Sequence, residues 1–227
     1  MTRAPLAELS PSQPGGGAPG PAGTAARRDK RALILDAAIK VFAEKGYHGS
    51  RVSDIAREAD VAYGLVYHYF KNKEEILRTI FEERWSGFLG AVEEIARRDA
   101  SAEDKLVSVA ALILNAYRVR PDWVKVLVLE IQRSSRFAEP GQIRAVGALF
   151  QSLARILREG QASGELRPEV DPDLACTVFL GALELEMTRL VLSLSRAEAP
   201  TESEYYLKVA RTVVDVFLRG CAAGVRA

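Results

Sequence analysis

The residues best equipped for chemistry in this 227-residue chain lie between Ser50 and Lys73. There, Val61-Ala62-Tyr63-Gly64-Leu65-Val66-Tyr67-His68-Tyr69-Phe70 gathers phenol, imidazole and small side chains onto a short helical pattern. At about 3.6 residues per turn, Val61, Val66, Tyr69 and Phe70 fall to a packing side. Ala62, Tyr63, Gly64, Leu65, Tyr67 and His68 are left outward, with Lys73 just beyond. Such a set, beside lysines, suits phosphate oxygens and base edges in a DNA major groove better than bond-making. Catalytic alternatives are thin. His48 and His68 are the only histidines, stand in different elements and lack the spacing or partners of a metal site. No H-E-x-x-H, G-x-S-x-G or phosphate-binding P-loop occurs, and Ser163 within Gly160–Gly164 stands one place off an esterase elbow. Gly15 to Gly20 has the letters of a dinucleotide loop, but no strand precedes it and Pro19 and Pro21 oppose a following helix. No catalytic residue, metal site or cofactor is expected.

The elements that must hold this stretch are helical. Residues 1–26 read as a disordered Pro- and Gly-rich tail. From Arg27, Leu33, Ile34, Ala37, Ala38, Val41 and Phe42 recur at helical spacing up to a stop at Gly46. Arg27, Arg28, Lys30 and Arg31 at its start oppose the helix dipole, so local helix stability does not account for them. Ser50 and Ser53 bracket the start of a second helix, and Asp60 holds the turn, being among the few residues that tolerate a left-handed conformation. A short helix, a tight turn and a second short helix on a longer one make a helix-turn-helix. Asn72 and Glu75 resemble a capping box for a fourth helix, along which apolar residues run from Ile76 to Ile95.

Beyond it every pattern is helical: about 102–119, a helix opened by Pro121 and continuing to Ile131, one after Pro140 ending near Gly160, and about 173–195 and 202–222. The fold class is all-α, with about nine helices. A tail (1–26) precedes a helix-turn-helix DNA-binding domain (27–75) and a helical body (76–227), which the resemblance given below makes a ligand-binding and dimerisation domain. Hydrophobic residues at 48% supply a core, and the net charge of +1 hides an asymmetry. Residues 27–73 carry ten basic and six acidic side chains, whereas residues 74–227 carry 20 and 23. A basic head on an acidic body fits phosphate contact at one end. Cys176 and Cys221 lie far apart in apolar stretches, which suits reduced thiols and a cytoplasmic setting. No membrane span and no signal peptide are expected.

Phe42-Ala43-Glu44-Lys45-Gly46-Tyr47, Val52-Ser53-Asp54-Ile55-Ala56-Arg57-Glu58-Ala59 and Val61 through Leu77 resemble the TetR (TetR/AcrR) family of bacterial transcription regulators. The resemblance covers about residues 29–77. It implies a three-helix DNA-binding head, a helical body that binds ligand and dimerises, and repression relieved by a small molecule. Position by position, it makes Ser50 a hydroxyl contact to phosphate and sets Ala62, Tyr63 and Gly64 where the recognition helix meets base edges or backbone. Tyr67 and His68 match an aromatic pair on phosphates or bases, and Lys73 matches a phosphate-pairing lysine. Departures are Asp60 for the usual turn glycine, Ala62 without the common hydroxyl, and Tyr63 where a basic or small polar residue is frequent. Base readout then leans on Tyr63 and Leu65.

The expected partners are a double-stranded DNA operator, a hydrophobic small-molecule effector and a second copy of the chain. The last two helices are apolar around much of their circumference, which suits a four-helix dimer seam. Trp85, Phe88, Trp123, Leu127, Phe150 and Phe179 are candidates for an effector pocket, with Arg133 for an acidic head group. Leu129–Ser134 and Phe179–Glu184 look similar to TetR relatives that govern fatty-acid metabolism, implying an acyl-CoA or other lipid effector. The competing reading is a helical dimeric interaction protein that senses a small molecule without reading DNA. It leaves the charged head and the recognition helix without a purpose.

Overall fold

The computed structural model describes residues 21–131, 140–192 and 202–221. Among the described residues the chain is all helical apart from turns. α1 (Pro21–Gly49), α2 (Val52–Glu58) and α3 (Tyr63–Tyr69) make the head, and α4 (Lys73–Arg97) leads into the body. The body adds α5 (Ala102–Val119), α6 (Pro121–Val126), a π-helical turn (Leu127–Ile131), α7 (Pro140–Ala162), α8 (Pro172–Val191) and α9 (Ser203–Cys221).

Several sequence expectations change here. α1 starts at Pro21 rather than at Arg27, within the stretch read as a disordered tail. Proline suits a first helical turn, and the following Ala and Thr residues do not oppose it. Residues 1–20 lie outside the described residues. The basic cluster is consequently no longer at the helix start. Arg31 bonds Glu83 of α4 at 2.5 Å and lies over the Phe70 ring, so it ties α1 to its neighbours. Leu33, read as an inward residue, is 54% exposed. The helix expected to run from Pro121 to Ile131 leaves α geometry at Leu127.

Helix ends follow local chemistry. Gly46 takes φ 71° and breaks α1 where a stop was read. The α2 start is capped by Asp54, whose carboxylate accepts from the Arg51 backbone N–H at 2.9 Å, and not by Ser50 or Ser53. Asp60 adopts φ 51°, the left-handed turn conformation expected of it. Asn72 caps α4 by accepting from the Glu75 N–H at 2.8 Å. Glu75 in return accepts from Lys71, one residue earlier than a standard capping box requires.

Two apolar cores result. The head core joins Ile34, Phe42, Ile55 and Val66 to Ile76 and Ile80 of α4, and it also takes Val126 from α6. The body core centres on Leu106, Leu114, Leu153, Ile156, Cys176 and Tyr206. Trp123 packs against both. Among the described residues no helix is long and apolar enough to cross a membrane.

Candidate functional site

The head presents α3 outward on very little anchorage. Val66 is its one fully buried residue, at 0% exposure, and reaches the core that also holds Ile55 and Ala56 of α2. Burying a valine supplies roughly 1.5–3 kcal/mol, so the turn must fix much of the geometry. It does so through Asp60 and through the Val61 N–H, which donates to the Ala56 carbonyl at 3.0 Å.

Ala62, Tyr63, Gly64, Tyr67 and His68 are exposed and Leu65 is half-buried, whereas Val66 and Phe70 are buried. Tyr63 and Tyr67 stand one helical turn apart, rings edge-on at 5.2 Å and hydroxyls 3.1 Å from each other. The Tyr63 hydroxyl raises the Tyr67 phenol above its ordinary value, with desolvation adding to it. The His68 ring packs edge-on against Tyr69 at 5.2 Å.

Ser50 and Lys73 have inward partners. Ser50 is 3% exposed, and its hydroxyl donates to the Tyr47 carbonyl at 2.7 Å. The Lys73 ammonium donates to the carbonyls of Tyr47 and Ser50 and lies 4.3 Å from the centroid of the Tyr47 ring. Together they clasp the start of α4 to the loop before α2. Asp54 neutralises two further cations, Lys45 at 2.8 Å and Arg57 at 2.9 Å. The hydrogen bond from Lys45 leads the causes that hold its carboxyl below the usual 3.8. Arg51 and Lys71, which sequence reasoning did not single out, are exposed and show no ion pair among the described residues. Their only signal was their place beside α2 and α3.

In the body, a cavity of about 840 Å³ opens between α4, α5, α6, α7 and α8. Trp85, Phe88, Trp123, Leu127 and Phe150, the effector-pocket candidates, line it. Phe81, Trp85 and Phe88 form an aromatic ladder on α4, with ring centroids 5.2 and 5.4 Å apart. Phe179 does not belong to this lining. It is 1% exposed and packs on Phe217 of α9 at 5.3 Å. Leu180, Leu183, Glu184 and Met187 form the cavity face of α8, and Phe179 falls roughly 100° from Leu180 around the helix. Arg133 lies outside the described residues. Sequence reasoning missed the polar members of the lining, Arg84, Asn115 and Arg120. The Trp85 indole Nε1 is buried without an acceptor among the described residues.

Elsewhere, Cys176 is buried and its thiol is pushed up to about 11, chiefly by desolvation. Among the described residues no group of three or more His, Cys, Asp or Glu is arranged to hold a metal ion.

A recognition helix on a helix-turn-helix, carried by an all-helical body with an apolar cavity, defines a one-component DNA-binding regulator. Residues 34–80 match the bacterial regulatory proteins of the tetR family, and residues 102–215 match the tetracyclin repressor-like C-terminal domain. The fatty acid metabolism regulator protein of Bacillus subtilis is 35% identical over 167 residues, covering 74% of this chain and 86% of that protein. The crystal structure of the regulator FadR from Bacillus subtilis in complex with stearoyl-CoA aligns with a TM-score of 0.72 at 31% identity, over 83% of this chain and 98% of that one. The fatty acid degradation regulator FadR from Bacillus halodurans aligns with a TM-score of 0.73 at 27% identity, over 87% and 96%. The chain belongs to the TetR family of DNA-binding transcriptional regulators.

Proposed function

We propose that this regulator is a repressor that reads a palindromic operator as a homodimer and releases it when an acyl-CoA or related lipid fills the cavity. In this reading residues 27–75 meet DNA and residues 76–227 hold the effector and the second copy. Ala62, Tyr63, Gly64 and Leu65 face base edges, and Tyr67 and His68 face the backbone. Arg51 and Lys71 are added to the phosphate contacts, because they are exposed cations beside α2 and α3. Ser50 and Lys73 serve mainly by fixing the frame on which α3 stands.

One observation carries the switch. Trp123 lines the cavity and also packs against the head core, to which its neighbour Val126 belongs. A chain that displaces Trp123 or the α4 aromatic ladder therefore pushes on the packing of α1. A volume of about 840 Å³ falls within the range of small-molecule sites, about 300–1,000 Å³, and its wall is mostly apolar. The stearoyl-CoA bound by the Bacillus subtilis relative supports the choice of ligand class. An effector shifts the equilibrium only by its preference for the released state.

The test is fluorescence anisotropy on a duplex selected from a random pool by the purified protein, with and without saturating palmitoyl-CoA. Repression relieved by acyl chains predicts a loss of operator affinity of tenfold or so, within the usual allosteric range of about 5–150-fold. Unchanged affinity at saturating palmitoyl-CoA would exclude this effector class.

A further inference from the structure

Two residues of the mostly apolar cavity lining are arginines that share one carboxylate of the head. Arg84, on α4, sets a guanidinium nitrogen 2.8 Å from Asp36 Oδ1. Arg120, between α5 and α6, sets one 3.9 Å from the same oxygen. Asp36 belongs to α1, so a single head carboxylate holds two body cations at the edge of the effector cavity. Glu184, the acidic residue of the lining, is on α8, which contributes neither arginine.

We propose that Arg84 and Arg120 form an anion subsite at the head end of the cavity, held by Asp36 in the free protein and taken over by the anionic head group of a chain-bearing effector. The inference rests on the hydrophobic-effector reading above and specifies which end of the molecule bears charge. Guanidinium groups match carboxylate and phosphate oxygens bidentately, and two of them facing one carboxylate leave a surplus positive charge. The side chains of Asp36 and Arg120 are 54% and 51% exposed, so solvent screens this ion pair and exchange of partner costs little. The exchange has a direction. An anion that occupies both arginines removes two links from α1 at once, while the acyl chain works on Trp123 beneath the same helix. Binding of the anion and attachment of the head therefore oppose each other, as reciprocal linkage requires.

The experiment is calorimetric binding of palmitic acid, palmitoyl-CoA and neutral methyl palmitate to the full chain and two variants. In the parent at least one anionic chain binds several-fold more tightly than the methyl ester. The double variant Arg84→Gln, Arg120→Gln loses that preference but keeps the ester. Asp36→Asn, which removes the competing carboxylate, tightens the anionic chain several-fold and leaves the ester unchanged. Whichever anion shows this dependence identifies the group as a carboxylate or a CoA phosphate, and either supports the subsite. Equal binding of acid, thioester and ester by the parent, or an anion affinity that Asp36→Asn leaves unmoved, overturns the subsite while the hydrophobic-effector reading stands. If none of the three chains binds, both fall.

Discussion

In the proposed complex Tyr63 and Tyr67 divide the labour of recognition between them. Their hydroxyls lie 3.1 Å apart, so each restricts where the other points. In that reading Tyr67→Phe removes this bond and a neutral donor to a DNA phosphate, the equivalent of one ordinary hydrogen bond. We expect a loss of about two- to tenfold that is uniform across duplex sequences. Tyr63→Ala should instead reorder the preferred operators in a selection from random DNA; an unaltered ranking would remove Tyr63 from base readout. Lys73 makes a contrasting case. Lys73→Met leaves the carbonyls of Tyr47 and Ser50 without their ammonium donor, which costs about 1–3 kcal/mol of head stability. Chemical denaturation without DNA reads this directly. A variant as stable as the parent but weaker on DNA would make Lys73 a phosphate contact and nothing more. The outward and inward sides of α3 were legible in the sequence because helical period alone separates Val66 from Tyr67. The partners of Ser50 and Lys73 were not, because they depend on how the loop before α2 meets the start of α4. The place of Phe179 outside the cavity lining was not legible for a similar reason: an apolar helix gives no sign of which buried face borders a cavity and which a neighbouring helix.

Among elements, helix identity and order were plain from apolar spacing and from Pro121, which opens its helix as proline should, whereas Pro172, read as part of a loop, also opens one. The turn into π geometry at Leu127 was not, since a π-helical turn has no distinct residue pattern. Nor was the reach of α6 into the head core, where Val126 joins residues of α1 and α4 that are distant in sequence. In the proposed switch, that packing is the route from the cavity to α1. Close helix contact also matters at Gly160 near the end of α7. A Cβ there would meet the Ala102 Cβ at 2.8 Å and Leu166 Cδ1 at 2.9 Å. Gly160→Ala should destabilise the body by about 1–3 kcal/mol through overpacking, lowering the thermal midpoint. A rise in the midpoint would mean that α5 and α7 separate easily and that the cavity wall is softer than this packing implies.

For the whole molecule, the exposed apolar surface points to a second copy. Leu174, Val178, Leu185 and Leu192 are 68, 64, 69 and 45% exposed, and helical phase lines them up on one face of α8. Val216 of α9 is 66% exposed. A contiguous apolar face of this kind is unusual on a monomer, and in a closed two-fold dimer the same face meets itself. Val178→Glu combined with Leu185→Glu is expected to give a folded monomer by sedimentation, with operator affinity reduced far more than any single contact on α3 accounts for. A dimer unchanged by both charges would place the interface elsewhere. In the proposed dimer the two recognition helices would meet half-sites that lie about 34–36 Å apart on one face of DNA. Release of the operator by the effector, as proposed, requires that this spacing change. A spin label at position 68, the exposed site of His68 on α3, read by pulsed dipolar spectroscopy in the full-length dimer tests it most directly. The account predicts a distance distribution that moves by several ångströms on saturation with palmitoyl-CoA, whereas an identical distribution with and without bound palmitoyl-CoA would contradict it.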